Sequence, residues 1–174
     1  LLEYGMNGGN LIVQYQRGNF AQSGLVPYPV DTADKQGTAA GSIARVVDEN
    51  APVKILEPTH SIFNFPNKIG DDDLKGWVQE RNAYNLVTFD PQYTPLHESH
   101  DAGEQENKGG LVLAKLGKGN YIFCSYSYFR TLPAGVSGAY RRCANLLTLQ
   151  KAGVTKNYMA IDKNGLSRLL FPYW

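Results

Sequence analysis

A polar turn that could carry chemistry, residues 14–19, directly follows the apolar run Leu11-Ile12-Val13. In α/β sheets, ligands and catalytic groups gather where a buried strand of this kind ends. A nucleophilic turn would need a Cys or Ser with small neighbours, so that backbone N–H groups can form an oxyanion hole. This turn has neither residue, and its flanks are bulky. We therefore expect polar ligand recognition here, or simply a solvated loop; the candidate ligand-binding residues are Gln14, Tyr15, Arg17 and Asn19.

A second group of candidates lies in the run GWVQERNAY. Trp77, Glu80 and Arg81 place an aromatic ring, a carboxylate and a guanidinium within one stretch of predicted helix. An aromatic ring can stack on a sugar face, and the charged groups can bind its hydroxyls. The stronger alternative is that Trp77 packs in the core while the charged residues pair or remain solvated.

The run CSYSYFRTLPAG supplies further polar groups after a predicted strand. It is rich in hydroxyl groups and contains Arg130, but it has no histidine and therefore no acid–base pair. Tyr126 and Arg130 are predicted to line a binding pocket. No residue of the chain is predicted to be catalytic.

The run HESH, residues 97–100, raises the question of a metal site. A zinc protease places two imidazoles one helical turn apart through His-Glu-x-x-His. Here His97 and His100 are three positions apart, in a stretch that is typical of strand or loop. We expect a polar surface loop and no metal site, with a divergent hydrolase that uses these histidines as an alternative.

Composition limits the possible functions. The chain has 174 residues, of which 43% are hydrophobic, so it is long enough for one domain with a sizeable core. Its net charge is +1, from 17 basic and 16 acidic residues, which argues against nucleic-acid binding. No apolar run is long enough to span a membrane. Cys124 and Cys143 have no metal-binding spacing, and whether they pair is left open.

Periodicity predicts the elements that position these residues. A short helix carrying Leu1, Leu2 and Met6 ends at Gly8-Gly9, and a strand covers 10–16. A long loop covers 17–41, two short strands surround residues 48–50, and another strand covers 84–89. Residues 90–108 are predicted to be irregular. Two strands joined by Gly117-Lys118-Gly119 form a hairpin over 109–125.

Two further helices are predicted. The first starts at Asp71–Asp73 and carries Leu74, Trp77 and Val78, because acidic residues suit a helix N-terminus. The second is capped by Ser137 and ends at Gly153. Its predicted buried face consists of Ala139, Tyr140, Cys143, Leu146 and Leu147. Residues 154–174 are predicted to be a C-terminal tail.

Four runs carry a resemblance to a known family: GGNLIVQYQ (8–16), the run from DENAPVKIL to QERNAY (48–84), DPQYTPL (90–96), and the run from GGLVLAKL to CANLL (109–147). Together they resemble the C-terminal part of large bacterial PIG-L (LmbE-like) deacetylases. That part is similar to class I glutamine amidotransferase-like and ThuA-like domains.

The resemblance implies one three-layer α/β domain of flavodoxin-like type over 1–174, with a mostly parallel sheet and an antiparallel hairpin. It also implies a first strand before Leu1 in a longer protein. The family's catalytic zinc domain carries an A-H-P-D-D-E motif that this sequence lacks, so zinc is expected only in that separate domain of the same chain. Secretion or periplasmic export is expected on the same ground.

The function that the resemblance implies is a non-catalytic accessory domain of an amino-sugar N-deacetylase, with carbohydrate as a possible ligand. A purely structural domain that packs against a catalytic domain or a twin subunit is the alternative. The latter is motivated by the many aromatic residues, 11 Tyr, 7 Phe and 2 Trp, without an acid–base pair.

Overall fold

A computed structural model describes residues 1–16, 19–32 and 44–149. The strands, in chain order, are β1 (Asn10–Gln14), β2 (Val30–Thr32), β3 (Arg45–Val46), β4 (Val53–Ile55), β5 (Asn82–Ala83), β6 (Leu86–Phe89), β7 (Tyr93–Pro95), β8 (His97–Ser99), β9 (Leu111–Leu116) and β10 (Gly119–Cys124). The α-helices are α1 (Leu2–Met6), α2 (Tyr128–Thr131) and α3 (Ser137–Thr148), and short 3-10 helices cover Phe20–Gln22, Ser61–Phe63 and Asp71–Leu74.

A four-stranded sheet in the order β1-β10-β9-β7 organises the protein. β1 runs parallel to β10, whereas β9 is antiparallel to both β10 and β7. The predicted mixed α/β class and the hairpin are confirmed. The prediction of a mostly parallel sheet is wrong for the described strands, because only β1 and β10 pair in parallel, whereas β7 is antiparallel to β9 in addition to the predicted hairpin.

Both faces of this sheet are covered, which explains the nearly continuous apolar runs in its strands. Residues alternate between two cores: Leu111 and Ile122 pack in one with α3, while Val112 and Phe123 pack in the other. In β1, Ile12 packs against the first core, and Leu11 and Val13 belong to the second. Two-stranded antiparallel pairs β2–β6, β3–β5 and β4–β8 surround the sheet.

Local backbone geometry corrects the prediction of a helix over 71–78. Only Asp71–Leu74 is helical, as a 3-10 turn, because Lys75 is extended and Gly76 has a φ of 70°. Asp73 stabilises the start of this turn by accepting a hydrogen bond from the Gly70 N–H at 2.9 Å. Trp77 therefore lies beyond the helix, with only 3% of its surface exposed.

Segments predicted to be loops contain strands. β2 lies within the predicted loop 17–41, and β7 and β8 lie within the predicted irregular stretch 90–108. The three residues of β8 are all buried, so the expectation of a polar surface loop at 97–100 is wrong. These strands carry polar residues and pair with distant partners, so their sequences lack the apolar alternation that marks a strand.

The helix predicted from Ser137 is confirmed as α3, but its buried face differs. Tyr140 and Leu147 are 53% and 65% exposed, whereas Arg142 and Asn145 are buried. Asn145 accounts for part of this difference in the buried face, because its side-chain amide donates to the carbonyl oxygens of Ile62 and Asn67. No side-chain hydrogen bond from Ser137 caps the helix, and its predicted end at Gly153 lies outside the described residues.

The remaining sequence predictions concern the N-terminus and the cysteines. α1 confirms the short opening helix, but Leu1 and Met6 are exposed and Gly5 is the buried residue. Cys124 and Cys143 are free thiols. Among residues 1–16, 19–32 and 44–149, no helix has the length and apolar character needed to cross a membrane.

Candidate functional site

The turn after β1 adopts a backbone conformation that is uncommon for its residue type. Tyr15 has a φ of 53°, in the left-handed region that side chains with a Cβ rarely occupy. Its N–H still donates to the Cys124 carbonyl oxygen at 3.0 Å, so the residue is fixed at the end of the parallel pair. The Gln16 side chain donates back to the Gln14 carbonyl oxygen at 3.0 Å.

Two other non-glycine residues, Gln79 and Tyr84, have left-handed backbone, with φ of 75° and 64°. Tyr84 contacts Tyr15 directly, and Gln79 reaches the same place through Arg130. The Tyr84 and Tyr15 rings pack edge to face with centroids 5.0 Å apart, and the Gln79 side chain accepts a hydrogen bond from Arg130 beside Glu80. Left-handed non-glycine residues cost about 1–3 kcal/mol each and concentrate at functional sites. Their convergence therefore marks this surface as the candidate site.

Aromatic rings and one ion pair build this site, which we call the surface cluster: Tyr15, Gln79, Glu80, Tyr84, Phe129 and Arg130. The Phe129 ring lies 4.5 Å from that of Tyr15 and remains 47% exposed. The Arg130 guanidinium lies 4.7 Å from the Phe129 ring centroid, a cation–π distance. Its Nε is 3.6 Å from Glu80 Oε1.

The Tyr15 hydroxyl donates a hydrogen bond to Glu80 Oε1. Burial of the ring, followed by this bond to an anionic partner, raises the pKa of Tyr15. The phenol therefore stays protonated at neutral pH, as a hydrogen-bond donor rather than a nucleophile. The surface cluster can offer an apolar ring, a carboxylate and a guanidinium to a ligand.

Interactions below the surface hold the Gln79–Tyr84 segment in place. Ser127 Oγ donates to the Glu80 carbonyl oxygen at 2.7 Å. The Arg81 guanidinium, 3% exposed, donates to the Ala51 carbonyl oxygen from two nitrogens and to the Leu74 carbonyl oxygen from a third. Arg81 thus positions the segment that carries Glu80, and it does not reach the surface.

Trp77 and Tyr126 belong to a different group, which we call the interior cluster: Trp77, His97, Tyr126, Tyr128 and Arg142. The Arg142 guanidinium lies 5.2, 4.6 and 5.9 Å from the ring centroids of Trp77, Tyr126 and Tyr128. All five side chains are at most 4% exposed. Within the described ranges, no carboxylate pairs with Arg142, so aromatic faces provide its electrostatic compensation.

His97 completes the interior cluster, where it is only 1% exposed. Its Nδ1 lies 3.3 Å from an Arg142 nitrogen, and because arginine can only donate, Nδ1 accepts and the proton resides on Nε2. Burial, together with the nearby guanidinium groups, lowers the pKa of His97 well below its ordinary value. His100 instead pairs with Glu98 at 2.9 Å. Across residues 1–16, 19–32 and 44–149, no group of three His, Cys, Asp or Glu residues could hold a metal ion.

The structure therefore divides the candidates from sequence into two groups. Tyr15, Glu80 and Arg130 meet in the surface cluster, and the Gln14 amide lies nearby, 3.4 Å from the Tyr126 carbonyl oxygen. Trp77, Arg81 and Tyr126 are interior. Asn19 is exposed at the start of a 3-10 helix, and Arg17 lies outside the described residues.

Sequence reasoning missed Gln79, Tyr84 and Phe129. Phe129 could have been found as the neighbour of Arg130 in the same polar run. Gln79 and Tyr84 could not, because neither residue type signals a left-handed backbone. Comparisons of the chain with protein-family models, with curated proteins and with solved structures gave no match.

Proposed function

We propose that this chain is a non-catalytic accessory domain of a PIG-L-like zinc-dependent N-deacetylase and that its surface cluster binds carbohydrate. One observation carries the proposal: the three left-handed non-glycine residues converge on an exposed aromatic ring beside a carboxylate and a guanidinium. An aromatic ring with planar polar side chains suits a pyranose, which has an apolar face and a rim of hydroxyls.

The flavodoxin-like, amidotransferase-like three-layer arrangement is part of the same proposal. Its support is the parallel pairing of β1 with β10 and the location of the surface cluster where β1 ends. Ligands of α/β sheets bind outside the carboxyl ends of strands. The turn there retains a strained backbone and presents a phenol in place of a nucleophile.

Zinc has no role within this segment in the proposal. The described residues provide no ligand set for it, so no step is assigned to the metal. The metal, the A-H-P-D-D-E motif and the hydrolysis of the acetyl group would belong to a catalytic domain of the same polypeptide. The accessory domain would hold the glycan near that domain. A divergent hydrolase that uses His97 has less support, because this imidazole is enclosed and only 1% exposed.

Calorimetric titration with oligomers of N-acetylglucosamine and of glucosamine would test carbohydrate binding. We expect dissociation constants in the millimolar range for wild type and losses of about tenfold or more for Phe129→Ala and Glu80→Gln. Tyr140→Ala is the matched control, since Tyr140 is an exposed aromatic residue on α3 outside the surface cluster. Absence of heat for every oligomer, or equal binding by wild type and Phe129→Ala, would remove the proposal.

A further inference from the structure

A surface segment without strand pairing covers part of α3. Residues 60–69, which we call the clasp segment, contain a 3-10 helix and no strand. Asn145 of α3 holds the segment: its side-chain amide donates to the Ile62 and Asn67 carbonyl oxygens at 2.9 and 2.8 Å, and its Oδ1 accepts from the Asn67 N–H at 3.0 Å. Three apolar side chains of the segment are buried in the core that contains α3: Ile62, Phe63 and Ile69. Because these side chains and not a sheet attach it, the clasp segment can open without unfolding the four-stranded sheet.

His60 begins the clasp segment and caps its 3-10 helix. The Nδ1 atom of His60 accepts a hydrogen bond from the Ile62 N–H at 3.1 Å. A backbone N–H can only donate, so this bond requires an unprotonated Nδ1, and a proton there would place two donors against each other. Two charged side chains act on this imidazole, Glu57 and Lys115. Burial lowers the pKa of His60, while Glu57 opposes this shift and Lys115 adds to it.

A second histidine, His97 of β8, lies under the same segment. The Phe63 ring stacks on the His97 imidazole, with centroids 5.1 Å apart and an interplanar angle of 30°. His97 also accepts through Nδ1, from Arg142 at 3.3 Å, so both histidines must be neutral to make these contacts. The titratable and charged groups next to His97 are Arg142, Arg81 and Tyr126, and the two guanidinium groups oppose a positive charge on the ring. Because Phe63 covers one face of the imidazole, opening of the clasp segment would give His97 access to solvent.

We propose that the clasp segment is an acid-sensitive switch: a proton from solvent on His60 removes the cap, the segment opens from α3, and His97 then takes up a second proton. Both imidazoles bind a proton less readily in the closed form than in the open form. The closed form is therefore fully favoured above the ordinary histidine pKa of about 6.5, and it loses this advantage as the pH falls below that value. Each histidine can raise the opening equilibrium constant by up to about tenfold per pH unit. The switch is independent of the surface cluster.

Amide hydrogen exchange between pH 7.5 and 5, corrected for the intrinsic exchange rate at each pH, would measure this opening. The reporters are the amides of Asn67 and Ile69, which donate to Asn145 Oδ1 and to the Phe63 carbonyl oxygen. We expect their opening equilibrium constants to rise about tenfold or more between pH 6.5 and pH 5. The amide of Ile122, inside the four-stranded sheet, should stay protected over the same range.

His60→Asn is the matched variant, because asparagine can cap the helix through its side-chain oxygen and does not titrate. We expect this variant to open as rarely as wild type at pH 7.5 and to show an increase on acidification that is about threefold smaller or less. Equal pH dependence in wild type and His60→Asn would overturn the role of His60. Exchange at Asn67 and Ile69 that matches exchange at Ile122 at every pH would overturn the switch, since the segment would then open only with the whole fold. Neither result bears on carbohydrate binding at the surface cluster.

Discussion

The surface cluster and the interior cluster contain the same kinds of residue, an arginine against aromatic rings, yet their environments give them different roles. Arg130 packs against Phe129 and retains a carboxylate partner, Glu80. Arg142 packs among three rings with a neutral histidine and is 4% exposed. Exposure to solvent, rather than residue type, separates a surface that can receive a ligand from one that holds the core together.

The backbone differs between the two clusters as well. Three residues of the surface cluster have left-handed backbone, and no non-glycine residue of the interior cluster does. Interior side chains gain stability through burial of apolar area, about 25 cal/mol per Å². The surface cluster instead combines three residues of unfavourable backbone geometry with side chains that remain partly or fully exposed. This contrast leads us to expect mutations in the interior cluster to cost more stability than mutations in the surface cluster.

Trp77→Ala should have the largest effect on stability. Trp77 is 3% exposed and contacts Tyr126, Tyr128 and Arg142, so its removal leaves a large cavity beside a buried cation. We expect the free energy of unfolding to fall by about 3–5 kcal/mol, measured by urea denaturation. Trp77→Phe, which retains a ring, should lose less. A loss below about 1 kcal/mol for Trp77→Ala would mean that the interior cluster is not essential to the core.

Acidification should lower the stability of the folded protein through protonation of His97 in the unfolded chain. Because its pKa is lowered in the folded protein, the unfolded chain binds a proton below the ordinary pKa of about 6.5 and the folded protein does not. The free energy of unfolding should therefore decrease below about pH 6.5, by about 1.4 kcal/mol per pH unit from this residue. Burial also lowers the pKa of His60, so the comparison must be with His97→Gln.

Urea denaturation of wild type and His97→Gln between pH 7.5 and 5 would isolate that contribution, with the flatter profile expected for the variant. If the stability of the two proteins changed equally with pH, His97 would take up a proton equally in the folded and unfolded states and would not be enclosed.

Gln79 allows a test of the backbone strain in the surface cluster. Gln79 has a φ of 75°, a region that glycine occupies without a steric penalty. The Gln79→Gly variant should therefore be more stable than Gln79→Ala by about 1 kcal/mol. Both variants lose the same contact with Arg130, so their difference reports the backbone alone. Thermal and urea unfolding of the two variants would measure it, and equal stabilities would argue against strain at this position.

Phe129→Ala should have the smallest effect on stability and thereby sharpen the contrast with Trp77→Ala. Because the Phe129 side chain is 47% exposed, we expect the free energy of unfolding to change by less than about 1 kcal/mol. Phe129 is nevertheless the exposed ring on which a sugar would stack, so Phe129→Ala should weaken oligosaccharide binding the most. A large destabilisation would place Phe129 with the core residues and weaken its assignment to recognition.

Local signals in the sequence predicted part of the fold. The hairpin β9–β10 was predictable because two apolar strands meet at a glycine turn, and α3 was predictable from its 3.6-residue period. The buried face of α3 was not, because Arg142 and Asn145 are buried through partners that are remote in sequence, His97 and Ile62. Polar residues are interior there because those partners satisfy their hydrogen bonds.

The candidate site shows the same division between local and distant information. Tyr15 could be placed at the end of a strand, and Glu80 and Arg130 were reasonable polar candidates. Their meeting depends on how β1, the 79–84 segment and α2 come together in three dimensions. The interior positions of Trp77, Arg81 and Tyr126 likewise follow from tertiary packing, which the residue types alone do not specify.

The parallel pairing of β1 with β10 also has a consequence for the order of folding. Asn10 lies opposite Asn120 and Gln14 opposite Cys124, more than a hundred positions later along the chain. Closing so long a loop has a large entropic cost and is therefore slow. The β9–β10 hairpin needs only local contacts, and hairpins form in about 1–10 microseconds. β1 should therefore join a hairpin that already exists, late in folding. Until then the N-terminal residues must remain available to add to β10, during translation as well as in refolding.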